Sequence, residues 1–349
     1  DIGNDFSVRG LIGGNFDSGK GNAVIAVEYN KLDNILARDV PTLYDSWSSF
    51  TPTANDAVLD ANGDRFAGQV RLYPNTRAGI LSFSGLLTPG STAITNLGLG
   101  QWSDGNFYQV DPSGSGNLVP FDTGSPTGNA VWSAGGDGLD LGETNTATEG
   151  YERWNMTTMS TYAITDNINL NFLAFANSSE AKNPGYQAAQ YNSGVFGGLG
   201  GALEFATDYP YLNDSARSQI EGLLGGPGNF YMHKGWTDLG QREVINESNV
   251  YSFKFGFDGE FEMADEFWSW ELNYQKGWSS VYSQSSAVNE LRFVTAMDVG
   301  VNPNTGEIDC KYNYVDGYGE QYRPEGFGLT ADDNPLGGAD ACAPLNPFG

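Results

Sequence analysis

The residues best suited to catalysis are too few and too scattered to form a reactive set. His233 is the only histidine of the 349 residues, and no serine–histidine–aspartate arrangement or metal-ligand spacing surrounds it. Acidic residues number 43, so pairs of carboxylates occur along the chain by chance. General acid–base and nucleophilic catalysis both need a positioned base beside the reacting group. We therefore predict that the chain is not an enzyme.

The charge balance excludes one class of partner. The 43 acidic residues outnumber 17 basic ones, which gives a net charge of −26. Nucleic-acid binding depends on contacts from lysine and arginine to phosphate, so we predict no nucleic-acid partner. The same excess argues against a strongly anionic ligand, because like charges repel.

Two acidic, glycine-containing segments are the candidates for calcium. They are DANGD, with Asp60, Asn62 and Asp64, and GGDGLDLGE, which spans Gly135–Glu143. Carboxylate and amide oxygens are the ligands that Ca²⁺ prefers. The spacing is not that of an EF-hand loop, and solvated acidic turns explain both segments more simply. We expect no cofactor, with calcium at the first segment as the candidate to test.

Cysteine and aromatic residues supply the remaining site candidates. Cys310 and Cys342 both lie in polar stretches outside any C-x-x-C pair, which predicts a disulfide made in an oxidising compartment, with two free thiols as the alternative. Aromatic faces stack on sugars and flat ligands, although some aromatics in long segments only pack those segments together. The candidates for solute contact are Trp47, Trp102, Trp132, Tyr211, Tyr231 and Trp236.

The elements that must position these residues alternate apolar and polar side chains with a period of two. In SFKFGFDGEFEMADEFWSWELNYQKGW, which begins at Ser252, alternation on both sides of a short turn predicts an antiparallel hairpin. The same pattern recurs around ITDNI and around FDSGKGN. The three hairpins cover about 5–34, 150–178 and 248–284. Their polar, inward-facing candidates are Arg9, Glu28, Lys254, Asp258 and Glu271.

Long segments, about 36–149, 180–247 and 285–349, connect the hairpins. One of them contains a predicted short helix, with Asn213 or Asp214 as its N-cap and Gly225 as its stop. No apolar run reaches the 18 or so residues of a membrane helix. Short turns at one end of the strands and long loops at the other are typical of a transmembrane β-barrel. We therefore predict an all-β, antiparallel barrel segment, with a soluble β-sandwich as the alternative.

Several segments resemble the barrel of proteobacterial TonB-dependent outer-membrane receptors. They are GGNFDSGKGNAVIAVEYNK, YERWNMTTMSTYAITDNINLNFLAFANSSEAKNPG and CAPLNPFG, and their order along the chain also matches. The resemblance implies a 22-stranded barrel closed by an N-terminal plug, which imports scarce nutrients with energy delivered through the TonB complex. No TonB box or plug segment is visible, and about six strands are present. We expect residues 1–349 to be part of one barrel domain, without the plug and the later strands.

Three functions follow as hypotheses. The first is an importer in the outer membrane of a Gram-negative bacterium, whose partners are membrane lipid, an extracellular solute and, through a plug, the TonB complex. Its solute would be an oligosaccharide, a peptide or a metal chelate. The second is a passive porin or a structural outer-membrane protein. The third is a secreted β-sandwich adhesin or lectin.

Overall fold

A computed structural model describes residues 3–44, 47–50, 71–143, 145–183, 192–193, 202–240, 243–316 and 342–349. The chain is mostly β, with 52% strand and 13% helix, and its sheets are antiparallel. The all-β prediction is confirmed at this level. The described residues contain no helix of the length and apolarity needed to cross a membrane.

The elements are numbered in chain order. The strands are β1 (Asp5–Phe16), β2 (Gly21–Leu32), β3 (Ile35–Leu36), β4 (Trp47–Phe50), β5 (Arg71–Pro74), β6 (Thr76–Ala78), β7 (Leu86–Thr88), β8 (Tyr108–Val110), β9 (Leu118–Pro120), β10 (Ser125–Pro126), β11 (Trp132–Ala134), β12 (Thr146–Thr148), β13 (Gly150–Thr165), β14 (Ile168–Asn183), β15 (Asn192–Ser193), β16 (Leu203–Ala206), β17 (Asn229–Gly235), β18 (Val244–Met263), β19 (Glu266–Ser285), β20 (Val299–Val301) and β21 (Ile308–Cys310). The α-helices are α1 (Pro41–Tyr44), α2 (Asp214–Leu224), α3 (Glu290–Met297) and α4 (Lys311–Tyr314), and 3-10 helices occur at Asp17–Gly19, Ala37–Asp39, Thr95–Leu97 and Leu141–Glu143.

The chain divides into two compact units. The sheet unit comprises Asp1–Val40, Thr146–Tyr186 and Glu243–Ser286. The second unit comprises Pro41–Asn145, Gln187–Arg242 and Ala287–Gly349. The three predicted hairpins thus fall in the sheet unit, and the three long connecting segments supply the second unit, which has hydrophobic clusters of its own.

The sheet unit contains one antiparallel sheet in the order β1-β2-β13-β14-β18-β19. All three predicted hairpins are present, and the second and third are longer than their alternation indicated. Their turns lie at one end of the sheet. The turn between β18 and β19 places Ala264 and Asp265 at φ 58° and 63°, and positive φ at both central residues is a feature of the type I′ turn, whose twist matches that of a hairpin.

Opposed residues in this register share a face, and most of the aromatic residues lie on one of the two faces. Phe255 lies opposite Phe172 and Tyr274, whereas Asp258 lies opposite Asn169 and Glu271. We call the two surfaces the apolar face and the polar face. The apolar face includes Phe6, Val8, Ile12, Phe16, Ile25, Val27, Tyr29, Trp154, Met156, Tyr162, Leu170, Phe172, Tyr251, Phe253, Phe255, Phe257, Phe261, Trp268, Trp270, Leu272, Tyr274 and Trp278.

The second unit is built on a short-stranded sheet in the order β15-β17-β7-β8-β9, with β16 also paired to β17. The predicted helix is present as α2. The Asn213 side chain accepts a hydrogen bond from the Ala216 amide at its start, and Gly225 ends it in the left-handed region at φ 81°. Ala216 and Ile220 are the fully buried residues of the helix, and they pack into the main core cluster.

Cys310 and Cys342 lie at disulfide-bonding distance, with their Cα atoms 6.0 Å apart. A second link joins the same two stretches of chain. The Asn313 side chain donates to the Cys342 carbonyl at 2.8 Å and accepts from the Cys342 amide at 2.8 Å. Residues 342–349 therefore lie against the end of β21 and the following helix α4, with the two cysteines at bonding distance and two hydrogen bonds from Asn313.

Candidate functional site

The polar face of the sheet unit brings together all five predicted inward-facing residues. Arg9 and Glu28 are directly opposed on β1 and β2, and their side chains form an ion pair at 3.1 Å. Glu28 also accepts from the Asn30 side chain at 2.7 Å. Arg153 lies opposite Asn30 in the register, and its Nε is buried without a hydrogen-bond partner among the described residues.

A second polar network lies on the last three strands. The Asp258 carboxylate accepts from Asn169 at 3.0 Å and from Asn171. Lys254 lies 3.6 Å from the Glu271 carboxylate. The donors and acceptors of this face form two patches separated by apolar side chains such as Leu11, Met159 and Leu173. The patches suit water or a hydroxyl-bearing solute.

Two of the predicted solute-contact aromatics are core residues. Trp102 is 3% exposed and donates its indole N–H to the Leu87 carbonyl at 2.9 Å. Trp236 is fully buried and contacts Phe293 edge to face at 5.1 Å. Tyr211 is partly buried against the same cluster. Their structural role is packing, because their rings are occupied by neighbouring side chains.

The other predicted site residues have different outcomes. Trp132 is half-buried against the cluster around Leu139, and Tyr231 is half-buried with Glu204 nearby. Desolvation raises the pKa of the Tyr231 hydroxyl, and the Glu204 carboxylate adds to this effect. The Trp47 side chain and the calcium candidates Asp60, Asn62 and Asp64 lie outside the described residues.

The second acidic segment, Gly135–Glu143, uses its carboxylates within the fold. Asp137 accepts from the Gln109 side chain at 2.8 Å and from the Asp122 amide at 3.0 Å. Asp140 accepts from the Gly142 amide and lies 3.6 Å from Arg77. Among the described residues, no cluster of three or more histidine, cysteine, aspartate or glutamate side chains is arranged to hold a metal.

Sequence reasoning missed a cleft of about 690 Å³ in the second unit. Its polar lining includes Glu204, Asp208, Tyr209, Asp298 and Lys311. Lys311 and Asp298 form an ion pair at 2.8 Å, and the Tyr209 hydroxyl donates to the Met297 carbonyl at 2.7 Å. Burial raises the pKa of Tyr209, so this hydroxyl stays protonated as a donor. No local motif signals the cleft, because its walls come from segments about 90 residues apart.

His233 is a fully buried member of β17 rather than a surface base. Its Nε2 lies 3.0 Å from the Thr88 hydroxyl, which itself donates to the Gly90 carbonyl. Its Nδ1 has no hydrogen-bond partner among the described residues. Burial lowers the pKa of His233 to about 4, so the ring is neutral at pH 7.

We expect this histidine to make the second unit acid-sensitive. The pKa of His233 in the folded protein lies below its unfolded value of about 6.5. At pH values between the two, the unfolded chain therefore binds a proton that the folded chain does not. The free energy of unfolding consequently falls as the pH drops from about 6.5 towards 4. Between pH 7 and pH 5 the free energy of unfolding is expected to fall by about 2 kcal/mol. Amide hydrogen exchange of β17 measures it. His233→Gln is expected to flatten the dependence, and an unchanged slope in that variant would contradict the assignment.

No protein family matches this chain, and neither does any curated protein or solved structure.

Proposed function

We propose that the chain is a section of an outer-membrane β-barrel receptor that imports a solute. The observation that carries the proposal is the exposed apolar face of the sheet unit, backed by a polar face on the same strands. Phe6, Trp154 and Leu272 are 54%, 60% and 65% exposed. In a β-sandwich this face would instead be buried in a shared core.

The size of the apolar face favours lipid over water. Six strands about 4.8 Å apart, over a band about 25 Å tall, cover roughly 700 Å². The largest apolar patch on a soluble monomer is about 300–600 Å². A soluble protein would therefore cover this surface, whereas a bilayer solvates it.

The stagger of the three turns supports a tilted arrangement of the strands, as in a barrel. One row of opposed residues is Phe16, Gly21, Tyr162, Leu170, Phe257 and Leu272. The turn of the first hairpin follows this row directly. The turn of the second hairpin lies two to three residues further along its strands, and the turn of the third lies six residues further, after Met263. With the turns in one plane, this shift corresponds to a tilt of about 45°. Transmembrane barrel strands tilt about 35–45°.

Two opposed aromatic pairs of the third hairpin are spaced like the two sides of an apolar band. Tyr251 and Trp278 are opposed near the middle of the third hairpin, and Phe261 and Trp268 are opposed near its turn. Ten residues separate the two pairs on each strand, which is about 33 Å along the strand and about 23 Å across a membrane at the inferred tilt. This matches the apolar band of about 25 Å between aromatic girdles.

The open edges of the sheet support a larger barrel. Among the described residues, β1 and β19 each pair with one neighbour only. A 20-residue edge such as β19 leaves its outward backbone groups unpaired, and each such group costs several kcal/mol in lipid. Closure by further strands would remove this cost. A plug and coupling to the TonB complex are expected from the resemblance to TonB-dependent receptors. A channel that conducts ions continuously in planar bilayers would instead favour the porin alternative.

The orientation of the sheet is directly testable. We expect Glu149→Cys, at the end opposite the turns, to react with a membrane-impermeant maleimide on intact cells. Ala264→Cys, in the turn after β18, is expected to react only after the outer membrane is broken, because barrel turns face the periplasm. Labelling of Ala264→Cys on intact cells would reverse the orientation, and equal labelling of both in a soluble fraction would remove the membrane assignment.

A further inference from the structure

The cleft in the second unit has two walls, and they come from different stretches of the chain. Its lining residues fall within 202–210, which we call the first wall, and within 294–311, which we call the second wall. A hydrogen bond from the Tyr209 hydroxyl to the Met297 carbonyl joins the walls at 2.7 Å. Because the walls are not continuous in sequence, the width of the cleft depends on the contacts that hold them together.

A third stretch, residues 342–349, contacts both walls, and we call it the strap. Its Phe348 is 2% exposed, with its ring 5.3 Å from that of Phe205 and 5.8 Å from that of Tyr209. Phe205 and Tyr209 belong to the first wall and line the cleft. A buried aromatic ring therefore anchors the strap to the first wall.

The strap is attached to the second wall at two points. The Leu345 amide donates to the Ala296 carbonyl at 2.8 Å, and Ala296 lies in α3, a helix that lines the cleft. At the other point Cys342 lies at bonding distance from Cys310, with the Cα atoms 6.0 Å apart. Cys310 directly precedes Lys311, which lines the cleft. The strap therefore spans from one wall to the other.

Two further hydrogen bonds fix the conformation of the strap. The buried side chain of Lys234, on β17, donates to the Pro347 carbonyl at 3.2 Å. Within the strap the Asn346 side chain accepts from the Phe348 amide at 3.0 Å, which shapes the turn that leads into the buried ring. Attachment points thus occur along the strap from Cys342 to Phe348, so the strap links the two walls mechanically.

We propose that the strap is a brace that sets the width of the cleft, and that the Cys310–Cys342 pair is its redox-sensitive lock. To close the lock, the two thiols give two electrons and two protons to a small-molecule disulfide, which becomes two thiols. A reducing dithiol reverses the exchange and opens the lock. A ligand that fits the cleft at this width binds the locked form more tightly, because ligand and lock favour the same arrangement of the walls. The strap acts in this way whether or not the sheet unit spans a membrane.

The test uses amide hydrogen exchange of the purified full chain in detergent. Cys342→Ser removes the lock at the second wall, and we expect exchange of the β16 amides in the first wall to become at least about tenfold faster, because local opening depends on the contacts that hold a segment in place. Exchange of β11, which packs in the separate cluster around Leu139, is expected to stay unchanged. Ala343→Ser, at the exposed neighbouring position of the strap, is the matched control.

Reduction gives the same measurement without a substitution. Treatment of the unaltered chain with dithiothreitol is expected to accelerate β16 exchange as much as Cys342→Ser does, and to leave the Cys342→Ser chain unchanged. No acceleration of β16 in the reduced, unaltered chain would overturn the lock, even if the Cys342→Ser chain failed to fold.

A double-mutant cycle distinguishes bracing from ordinary packing. Phe348→Ala removes the anchor on the first wall, and in that background Cys342→Ser is expected to change β16 exchange by less than about twofold, because the two anchors act through one strap. Phe348→Leu, which keeps most of the buried volume, replaces Phe348→Ala in the cycle if the alanine variant does not fold. An equal effect of Cys342→Ser with and without Phe348 would overturn the brace. An effect confined to β20 and β21, or one that is as large in β11 as in β16, would overturn it too.

Discussion

Phe255→Arg is expected to reduce the free energy of folding into lipid by about 2–4 kcal/mol, the range for arginine at the bilayer midplane on barrel scales. Phe255 lies in the middle of β18 on the apolar face, where its ring is 5.3 Å from that of Tyr274. A guanidinium there would have to leave water without an ion partner among its neighbours on that face. Folding into vesicles, followed by heat-modified gel mobility, gives the measurement.

Two matched variants distinguish an effect of depth in the bilayer from a loss of side-chain packing. Phe261 has nearly the same exposure as Phe255, 44% against 39%, but lies near the turn. Phe261→Arg is expected to cost only about 0–1 kcal/mol, because arginine reaches the interface there. Asn273→Arg, on the polar face, is also expected to be mild. Equal damage at Phe255 and Phe261, or folding that needs no lipid, would count against a membrane-spanning sheet.

Phe230→Ala is expected to destabilise the second unit by about 3–5 kcal/mol, the usual cost of removing a buried phenylalanine ring. Phe230 is fully buried, and its ring lies 5.9 Å from Phe205 and 6.1 Å from Phe348. These neighbours come from β16 and from the C-terminal stretch, so the cavity left by the ring would open the centre of the main cluster. Hydrogen exchange of the α2 amides in the full chain reports the loss.

The control for this variant is a large apolar residue of the same unit that makes little contact. Leu97 is 61% exposed, and Leu97→Ala is expected to change stability by less than about 0.5 kcal/mol. A similar effect of both substitutions would mean that the cluster around Phe230 does not hold the second unit together. Unchanged exchange of α2 in Phe230→Ala would lead to the same conclusion.

The sheet unit was largely predictable because its information is local. Alternation around Phe255 and Leu272 fixes both the strands and the face of each side chain, since a shift by one residue would invert every side chain. The hairpin ends were less predictable. In β18 the stretch from Val244 to Asn249 is mostly polar and does not follow the alternation, yet it continues the ladder with β19.

The second unit was predictable only where a short motif decides the structure. Helix α2 was predicted from an N-cap at Asn213 or Asp214 and a stop at Gly225, and the structure places the cap at Asn213. The roles of Trp102 and Trp236 were not predicted, because an aromatic in a long segment has the same local signature whether it packs or binds. Trp236 is buried because Phe293, more than 50 residues later, packs against it. The cleft was not predicted either, because its walls also come from segments that are distant in sequence.

The topology of the sheet also has consequences for how quickly it forms. Within each hairpin the strands are joined by a few residues. The pairing of β2 with β13, by contrast, closes a loop that contains residues 33–149. Local pairings close quickly, and non-local pairings must first overcome the entropy of closing a long loop. The three hairpins are thus the early kinetic units, and the seams between β2 and β13 and between β14 and β18 are formed late. Pulsed hydrogen exchange would show this as protection of the β18–β19 amides before protection across those seams.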